Sequence, residues 1–448
     1  MKIKLLLLIF YCFFASLDQL LAQLTLWERE MGITEYGILT TEERVLVYKI
    51  NRKAGTVEFY VQDENLQTIA FKEEKLSPNV HNVTYEADDR YAYIMISWGI
   101  ETGYEKLLLK IDFNTGGISS YPISSNMVFP LAIRPIEDGI VMMGSIKEGD
   151  FLEIFNYQNN TLHSITDFFD KDTRIWDMQV LNNQLDVLVY SSGKSRFQQL
   201  QILSYDKDAN RTLRLPVKLP ADKKKYIRKA QLLYGPYEEY KIVGTYSFKP
   251  GEWFSGYFQI EINEFLDQNF SAYAFKDFDG FYDYKKNRKV IGGKNFNREM
   301  RLIEATTDGK YITLASQPIK TNRKFVHFLS IDAEGKKVFD KSIKLFYNQT
   351  IYSGSYQMAN QEAKVFFLFR GNDNKRNLPG EKVFLIENGK LSSINQVQNM
   401  VSKNSKIHQL ADPKYQHWYD NKFLIFGVVP PQIMGGEEPY FVIQKIEV

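Results

Sequence analysis

Eight short apolar runs recur along the chain, and each follows directly on a turn of acidic or amide residues. Their starts lie about 45 to 70 residues apart, a spacing typical of repeat architectures. Short apolar runs bounded by turn residues favour buried strands over helices. The pattern therefore predicts a repeat of short strands, with the runs at residues 45–48, 91–96, 140–143, 185–190, 242–243, 311–315, 365–369 and 423–428.

Each run is predicted to be the second of four antiparallel strands, which we name a, b, c and d. Strand a precedes the acidic turn, as at residues 84–86 or 302–304, and strand b is the apolar run itself. An alternating strand c and a more polar strand d follow. In six units the turn between c and d is an Asn, Asp or Gly cluster, at 63–65, 114–117, 158–160, 206–210, 333–335 and 387–389. These residue types adopt the positive φ angles that hairpin turns require, which predicts antiparallel pairing.

Four-stranded units at this period resemble the blades of β-propellers. Residues 308–312, Asp-Gly-Lys-Tyr-Ile, resemble the turn and strand common to propellers in general. The resemblance spans residues 36–448 as a repeating pattern and names no specific family, because neither a WD dipeptide nor a Kelch-type double glycine marks each unit. It implies an all-β fold of eight blades, or seven if one irregular unit is not a blade. Residues 24–27 are expected to add the outer strand of the last blade and so remove an open sheet edge.

The first 22 residues have the features of a signal peptide. Lys2 and Lys4 precede an apolar run at residues 5–15, and Ala22 before Gln23 is a plausible cleavage site. The run is shorter than the roughly 20 residues of a membrane span. We therefore expect an exported protein, periplasmic or extracellular, in which residues 23–448 form one propeller domain without a stable membrane span. The Ala-Gln junction and the bias towards Lys, Asn, Tyr and Phe resemble exported proteins of Bacteroidota-type bacteria.

Composition narrows the classes of partner. Lys and Arg number 56 and Asp and Glu 54, a formal charge of +2, so no global field attracts nucleic acid. The single cysteine, Cys12, lies in the predicted signal peptide, so the mature chain is expected to lack disulfides and a lipid anchor. We expect a monomer without a cofactor or metal, and a protein or glycan partner in the cell envelope or outside the cell.

The b–c loops hold the candidate binding residues. These loops are mostly longer than the a–b and c–d turns, and in a propeller they all emerge on one face, where function concentrates in rigid scaffolds. Aromatic and arginine side chains often dominate binding energy. The alternative is that the tryptophans cover loop backbone and the arginines are solvated charges. The candidates are Trp98, Tyr104, Arg196, Trp253, Phe254, Arg323, Arg370 and Arg376.

Catalytic motifs are absent from the sequence. It contains no Gly-x-Ser-x-Gly elbow and no glycine-rich phosphate loop, and its five histidines are scattered. A glycosidase needs only two carboxylates, and Glu86, Asp177 and Glu304 on predicted a strands could face a central channel. A binding scaffold is favoured, with a structural component of an envelope complex and a carbohydrate-active hydrolase as alternatives.

The longest spacer between units contains three aspartates within seven residues, Asp277, Asp279 and Asp283. They could provide oxygen ligands for calcium, but the longer ligand series and terminal glutamate of a calcium-binding hand are missing. The alternative is an excursion between blades whose aromatic residues pack on a neighbouring blade.

Overall fold

The protein is described by a computed structural model that covers residues 25–447 except 31–34, 53, 77–79, 99–104, 126, 128, 147–148, 168–171, 193–197, 220–225, 249–254, 279–299, 319–324, 345–355, 362–363, 373–378, 398–399, 402–406, 409, 411–412 and 430–439. The signal-peptide prediction for residues 1–22 lies outside this range. No helix in the described ranges has the length and apolar character needed to span a bilayer.

The chain forms an eight-bladed β-propeller, in agreement with the sequence prediction. The strands of blades 1 to 4 are β2 (Glu35–Thr40), β3 (Val45–Asn51), β4 (Thr56–Gln62) and β5 (Thr68–Lys75); β6 (Val80–Ala87), β7 (Tyr91–Trp98), β8 (Glu105–Asp112) and β9 (Ile118–Ser124); β10 (Pro130–Ile136), β11 (Gly139–Ile146), β12 (Gly149–Asn156) and β13 (Thr161–Ile165); β14 (Thr173–Leu181), β15 (Gln184–Ser192), β16 (Gln198–Tyr205) and β17 (Arg211–Val217).

The strands of blades 5 to 8 continue the same order, with one short extra pair before the last blade. They are β18 (Tyr226–Tyr234), β19 (Tyr240–Ser247), β20 (Gly256–Ile262) and β21 (Gln268–Ala274); β22 (Met300–Thr307), β23 (Tyr311–Pro318), β24 (Phe325–Asp332) and β25 (Lys337–Lys344); β26 (Tyr356–Gln361), β27 (Lys364–Asn372), β28 (Pro379–Glu387) and β29 (Lys390–Val397); the pair β30 (Met400–Val401) and β31 (Ile407–His408); and β32 (Lys414–Tyr419), β33 (Lys422–Val429), β34 (Tyr440–Glu447) and β1 (Thr25–Glu30).

Blade 8 joins the two ends of the chain. β1 pairs antiparallel with β34, with Thr25 opposite Lys445 and Glu30 opposite Tyr440. This confirms the predicted closure by the N-terminal segment. The pairing covers the outer edge of β34 and gives blade 8 its fourth strand.

The b strands are almost continuously apolar because they are buried on both faces. In β3, residues 45–50 are all buried, and in β7 residues 92–97 are. Each b strand lies between two neighbouring strands of its own sheet and packs against adjacent blades, so no face meets water. The d strands differ: β5 is exposed along nearly its whole length. The apolar runs therefore mark the radial middle of each blade.

The acidic and amide turns adopt the backbone geometry that their residue types predict. Asp138, Asn182, Glu238 and Asp420 all have positive φ in a–b turns, between 46° and 64°. In the c–d turn of blade 1, the Asp63 carboxylate accepts hydrogen bonds from the N–H groups of Asn65 and Gln67, both at 2.9 Å. Such side-chain bonds satisfy the turn's own backbone. These side-chain bonds therefore help to end the strands.

Because successive strands are antiparallel, the a–b and c–d turns share one face of the disc, which we call the short-turn face. The b–c loops and the connections between blades share the opposite face, which we call the long-loop face. The a strands lie innermost and neighbour one another around the axis. Each a strand runs from the long-loop face to the short-turn face.

Candidate functional site

Most of the loop residues predicted from the sequence lie outside the described ranges, namely Tyr104, Arg196, Trp253, Phe254, Arg323 and Arg376. The backbone of Arg370 lies on β27, opposite Glu381 of β28. Trp98 ends β7, where its indole Nε1 donates to Glu105 Oε2 at 3.1 Å, and its ring packs against the core between blades 1 and 2. A binding role for these residues stays a prediction.

The potential calcium segment is described only at its start. A single 3₁₀ turn, Phe275–Asp277, follows β21, and Asp277 is exposed. Phe275 and Phe278 are buried among residues of blades 5 and 6, such as Tyr257. At these two positions the structure agrees with the predicted alternative, in which aromatic residues of the spacer pack on a neighbouring blade. Asp279 and Asp283 lie outside the described ranges, and the part of the chain that is described contains no metal-binding group of three or more His, Cys, Asp or Glu residues.

The a strands carry a row of charges through five consecutive blades. Glu86, Arg134, Asp177, Lys229 and Arg301 lie on the a strands of blades 2, 3, 4, 5 and 6. Glu86 and Arg134 form an ion pair between blades 2 and 3. Glu86 is the next-to-last residue of β6 and Arg301 is the second residue of β22. The row therefore passes from the short-turn end of the channel wall to its long-loop end.

The two carboxylates of this row join neighbouring a strands. The Asp177 carboxylate accepts hydrogen bonds from the N–H groups of Leu232, one blade further on, at 2.8 Å and of Met178 at 2.9 Å. Burial raises the pKa of Asp177, although these bonds and Arg134 act to lower it. Burial likewise raises the pKa of Glu86, opposed by Arg134. The Asp177 bonds satisfy backbone N–H groups on two neighbouring a strands, and the Glu86–Arg134 pair connects two others through side chains.

The third sequence-predicted carboxylate, Glu304, also lies on an a strand. It occupies β22 opposite Ala315 and is half-buried. The structure therefore places all three predicted carboxylates on a strands, as the sequence indicated. Basic residues, namely Arg134, Lys229 and Arg301, lie on the same row of a strands as these carboxylates.

A β-bulge recurs in the a strands of five consecutive blades, 2 to 6. The pairing register with strand b shifts by one residue in the half of each strand nearer the long-loop face. Bulges kink a strand and redirect a side chain, and they are common beside functional sites. The extra residues are His81, Leu131, Trp176, Arg228 and Ile303.

The bulge residues of blades 2 and 3 present apolar and aromatic surface at the long-loop mouth of the channel. The Leu131 side chain is 68% exposed. His81 is exposed, with its ring centroid 6.2 Å from that of Phe129. An exposed leucine on an innermost strand is unusual because its surroundings are otherwise packed, and exposed apolar groups of this kind mark interaction sites when they cluster.

The bulge residues of blades 4 and 5 are tied to their own sheets. Trp176 stacks on Tyr190 with centroids 4.2 Å apart and rings 7° from parallel. Arg228 Nε donates to Ser247 Oγ at 3.0 Å. The sequence gives a weak signal for these bulges: the extra residue breaks the alternation of the a strand, but a one-residue break is common in any strand.

The short-turn face contains a groove of about 690 Å³ at the seam between blades 1 and 8. Acidic turn residues dominate its lining, and Asp63 already accepts two backbone hydrogen bonds there. Its lining residues are Glu42, Glu43, Arg44, Asp63, Glu64, Asn65, Ile69, Tyr419 and Asp420.

No protein-family model matches the chain, and no curated protein matches it. Among solved structures it is similar to the polysaccharide lyase Uly1, with 10% identity over 93% of this chain and 100% of that one and a TM-score of 0.43. It is also similar to Kuenenia stuttgartiensis hydrazine synthase (9% identity, 82% and 97% coverage, TM-score 0.40) and to a Lactobacillus plantarum protein (10%, 84% and 95%, TM-score 0.42). At these levels the similarities say nothing about ligand or activity.

Proposed function

We propose that the protein is an exported binding propeller that engages a protein or glycan partner through its long-loop face. The aligned bulges of blades 2 to 6 are the observation that carries the proposal. They shift the pairing of five a strands in the half nearer the long-loop face and leave His81 and Leu131 exposed at that end of the channel. Turns on the short-turn face, such as the one at Asp63, instead satisfy their own backbone. Variation at one rim of a regular scaffold is typical of a recognition surface.

The hydrolase alternative has no comparable support. Among the described carboxylates of the channel wall, Glu86 is paired with Arg134 and Asp177 holds backbone N–H groups of β14 and β18. A catalytic nucleophile or base must instead reach the substrate. These contacts suit groups that connect strands.

One pair of substitutions tests which face binds. Leu131, 68% exposed at the long-loop mouth, and Tyr237, 90% exposed in an a–b turn, lie on opposite faces. We expect Leu131→Asp to weaken partner binding at least tenfold, because it places a charge in the recognition surface, and Tyr237→Asp to leave binding unchanged. Binding to arrayed glycans and to separated envelope proteins, scored for both variants, is the measurement.

Thermal melting of both variants controls for folding. Loss of binding in Tyr237→Asp with retention in Leu131→Asp would reverse the assignment of the faces. Equal retention in both would remove the channel mouth from the binding surface.

The proposal that the protein is exported depends only on the signal-peptide features of residues 1–22, and it can be tested separately. Cleavage after Ala22 predicts a mature chain that begins at Gln23. The intact mass of the protein recovered from periplasmic and extracellular fractions checks this start, and recovery of the uncleaved chain in the cytoplasm contradicts it.

A further inference from the structure

Basic residues gather on one side of the long-loop mouth. The first five residues of β14, β18 and β22 include four basic residues, Arg174, Arg228, Lys229 and Arg301, and two acidic ones, Asp177 and Glu304. We call the four basic residues the cationic arc. The corresponding segments of β6 and β10 contain one formal charge, Arg134. Among these five blades, the mouth therefore has a basic side on blades 4 to 6 and a less charged side on blades 2 and 3, which we call the Leu131 side.

The arc is accessible from the channel. Arg174, Lys229 and Arg301 are exposed, and Arg228 is half-buried. An a strand is covered on one edge by strand b and on its faces by adjacent blades, so exposure of its side chains means exposure to the channel or its mouth. Arg174 donates from one guanidinium nitrogen to the carbonyl of Thr173 at 3.1 Å, which orients the side chain.

The positive charges of the arc act on one another. Burial lowers the pKa of Lys229, Asp177 opposes that change, and the charge of Arg301 lowers the pKa further. Two cations that repel each other across neighbouring strands are stabilised by an anion placed between them.

The Leu131 side of the mouth bears on the chemical class of the anion. Leu131 and the pair of His81 and Phe129 offer a small apolar and aromatic surface. A sugar ring needs one flat apolar contact and polar groups around it. The planar guanidinium of arginine matches a carboxylate or sulfate in two hydrogen bonds.

We propose that the long-loop mouth of the channel binds an acidic oligosaccharide, with the cationic arc holding its carboxylate or sulfate groups and the Leu131 side contacting the sugar rings. This assignment of ligand class rests on the proposed binding function of the long-loop face. The near-neutral chain gives no general attraction to polyanions, so binding depends on this local arc.

Calorimetric titration of the full mature chain tests the ligand class with three probes: oligogalacturonate, neutral maltohexaose and a poly-glutamate peptide. We expect oligogalacturonate to bind at least tenfold more tightly than either of the other two. Equal binding of maltohexaose, or tighter binding of the peptide, would overturn the assignment.

Two double variants with matched charge test the location. Lys229→Gln/Arg301→Gln removes two charges from the arc, and Lys310→Gln/Lys336→Gln removes two exposed charges from turns on the short-turn face. We expect the first to weaken oligogalacturonate binding more than tenfold and the second less than twofold. Lys229→Arg should restore most of the affinity of a Lys229→Gln variant. Equal losses in both double variants would mean that binding follows net charge, which overturns the proposal.

The outcomes separate this inference from the proposed function. If Leu131→Asp abolishes capture of another partner while the wild-type chain binds no oligogalacturonate, the ligand class is wrong and the binding face stands. If Leu131→Asp and the arc variant both leave all binding intact, both proposals fail.

Discussion

Lys106 in blade 2 and His327 in blade 6 occupy matching places, near the start of strand c and opposite a serine of strand b. The lysine is charged at pH 7, whereas the histidine is neutral. Both side chains are fully buried. Lys106 Nζ donates to the Met127 carbonyl at 2.6 Å and interacts with the buried carboxylate of Glu153 in blade 3. Its charge is therefore compensated.

His327 has a different neighbourhood. Its Nδ1 lies 3.0 Å from Ser342 Oγ, and its ring stacks against Tyr257 and Phe278, with centroids 6.1 Å and 5.2 Å away. Burial lowers its pKa to about 3, with a smaller effect of the nearby Lys337 charge. Matching positions in the repeat can therefore hold different residue types with different neighbours: a carbonyl and a carboxylate near the lysine, and aromatic rings around the histidine.

The largest effect is expected from Lys106→Met, which keeps the apolar stem and removes the charge. Loss of one partner leaves Glu153 buried with an uncompensated charge, which costs about 3–5 kcal/mol. Urea denaturation at pH 7 measures the free energy of unfolding. The exposed Lys72→Met on β5 is the control, with an expected change of less than about 0.5 kcal/mol.

A double variant sharpens that result. Lys106→Met/Glu153→Gln removes both charges and should recover a large part of the loss, since the coupling of contacting residues appears in such a cycle. A cost of Lys106→Met no greater than that of Lys72→Met would mean that the blade 2 and blade 3 seam does not depend on this charge.

A smaller, pH-dependent effect is expected at His327. The unfolded chain binds a proton on this histidine below about pH 6.5, whereas the folded chain does so only near pH 3, so the folded state loses stability as pH falls through this window. Between pH 6.5 and 4.5 the loss is about 3 kcal/mol, at about 1.4 kcal/mol for each pH unit.

His327→Phe should keep the stacking and remove the titration. We expect it to cost about 1–2 kcal/mol at pH 7, because Ser342 loses a hydrogen-bond partner, and to make the melting temperature depend less on pH between 6.5 and 4.5. The half-buried His163→Phe is the control. An unchanged pH profile in His327→Phe would show that acid sensitivity arises elsewhere.

Much of the fold could be predicted from the chain itself. The b strands could be recognised because burial on both faces restricts them to apolar residues. The turns could be recognised because positive φ restricts them to a few residue types. The burial of Lys106 and His327 could not be predicted. In the sequence, a single polar residue in a strand is the same whether its side chain faces water or another blade. Their role depends on Glu153 and on Tyr257, which are distant in sequence.

The candidate site shows the same division. Glu86, Asp177 and Glu304 could be placed on a strands from their position before the acidic turns. The basic residues of the arc and the exposed Leu131 could not be identified as a group, because they lie on four different blades, far apart in the sequence. The series of bulges in blades 2 to 6 can be identified only by comparing the strand registers of neighbouring blades.

The pairing of β1 with β34 has a consequence for the order of assembly. β1 is synthesised long before its partner β34, so blade 8 stays incomplete until β34 has been delivered. Contacts of such long sequence separation form late and slowly. Until β34 is delivered, blade 8 lacks two of its four strands, and a chain interrupted before that point keeps the blade incomplete.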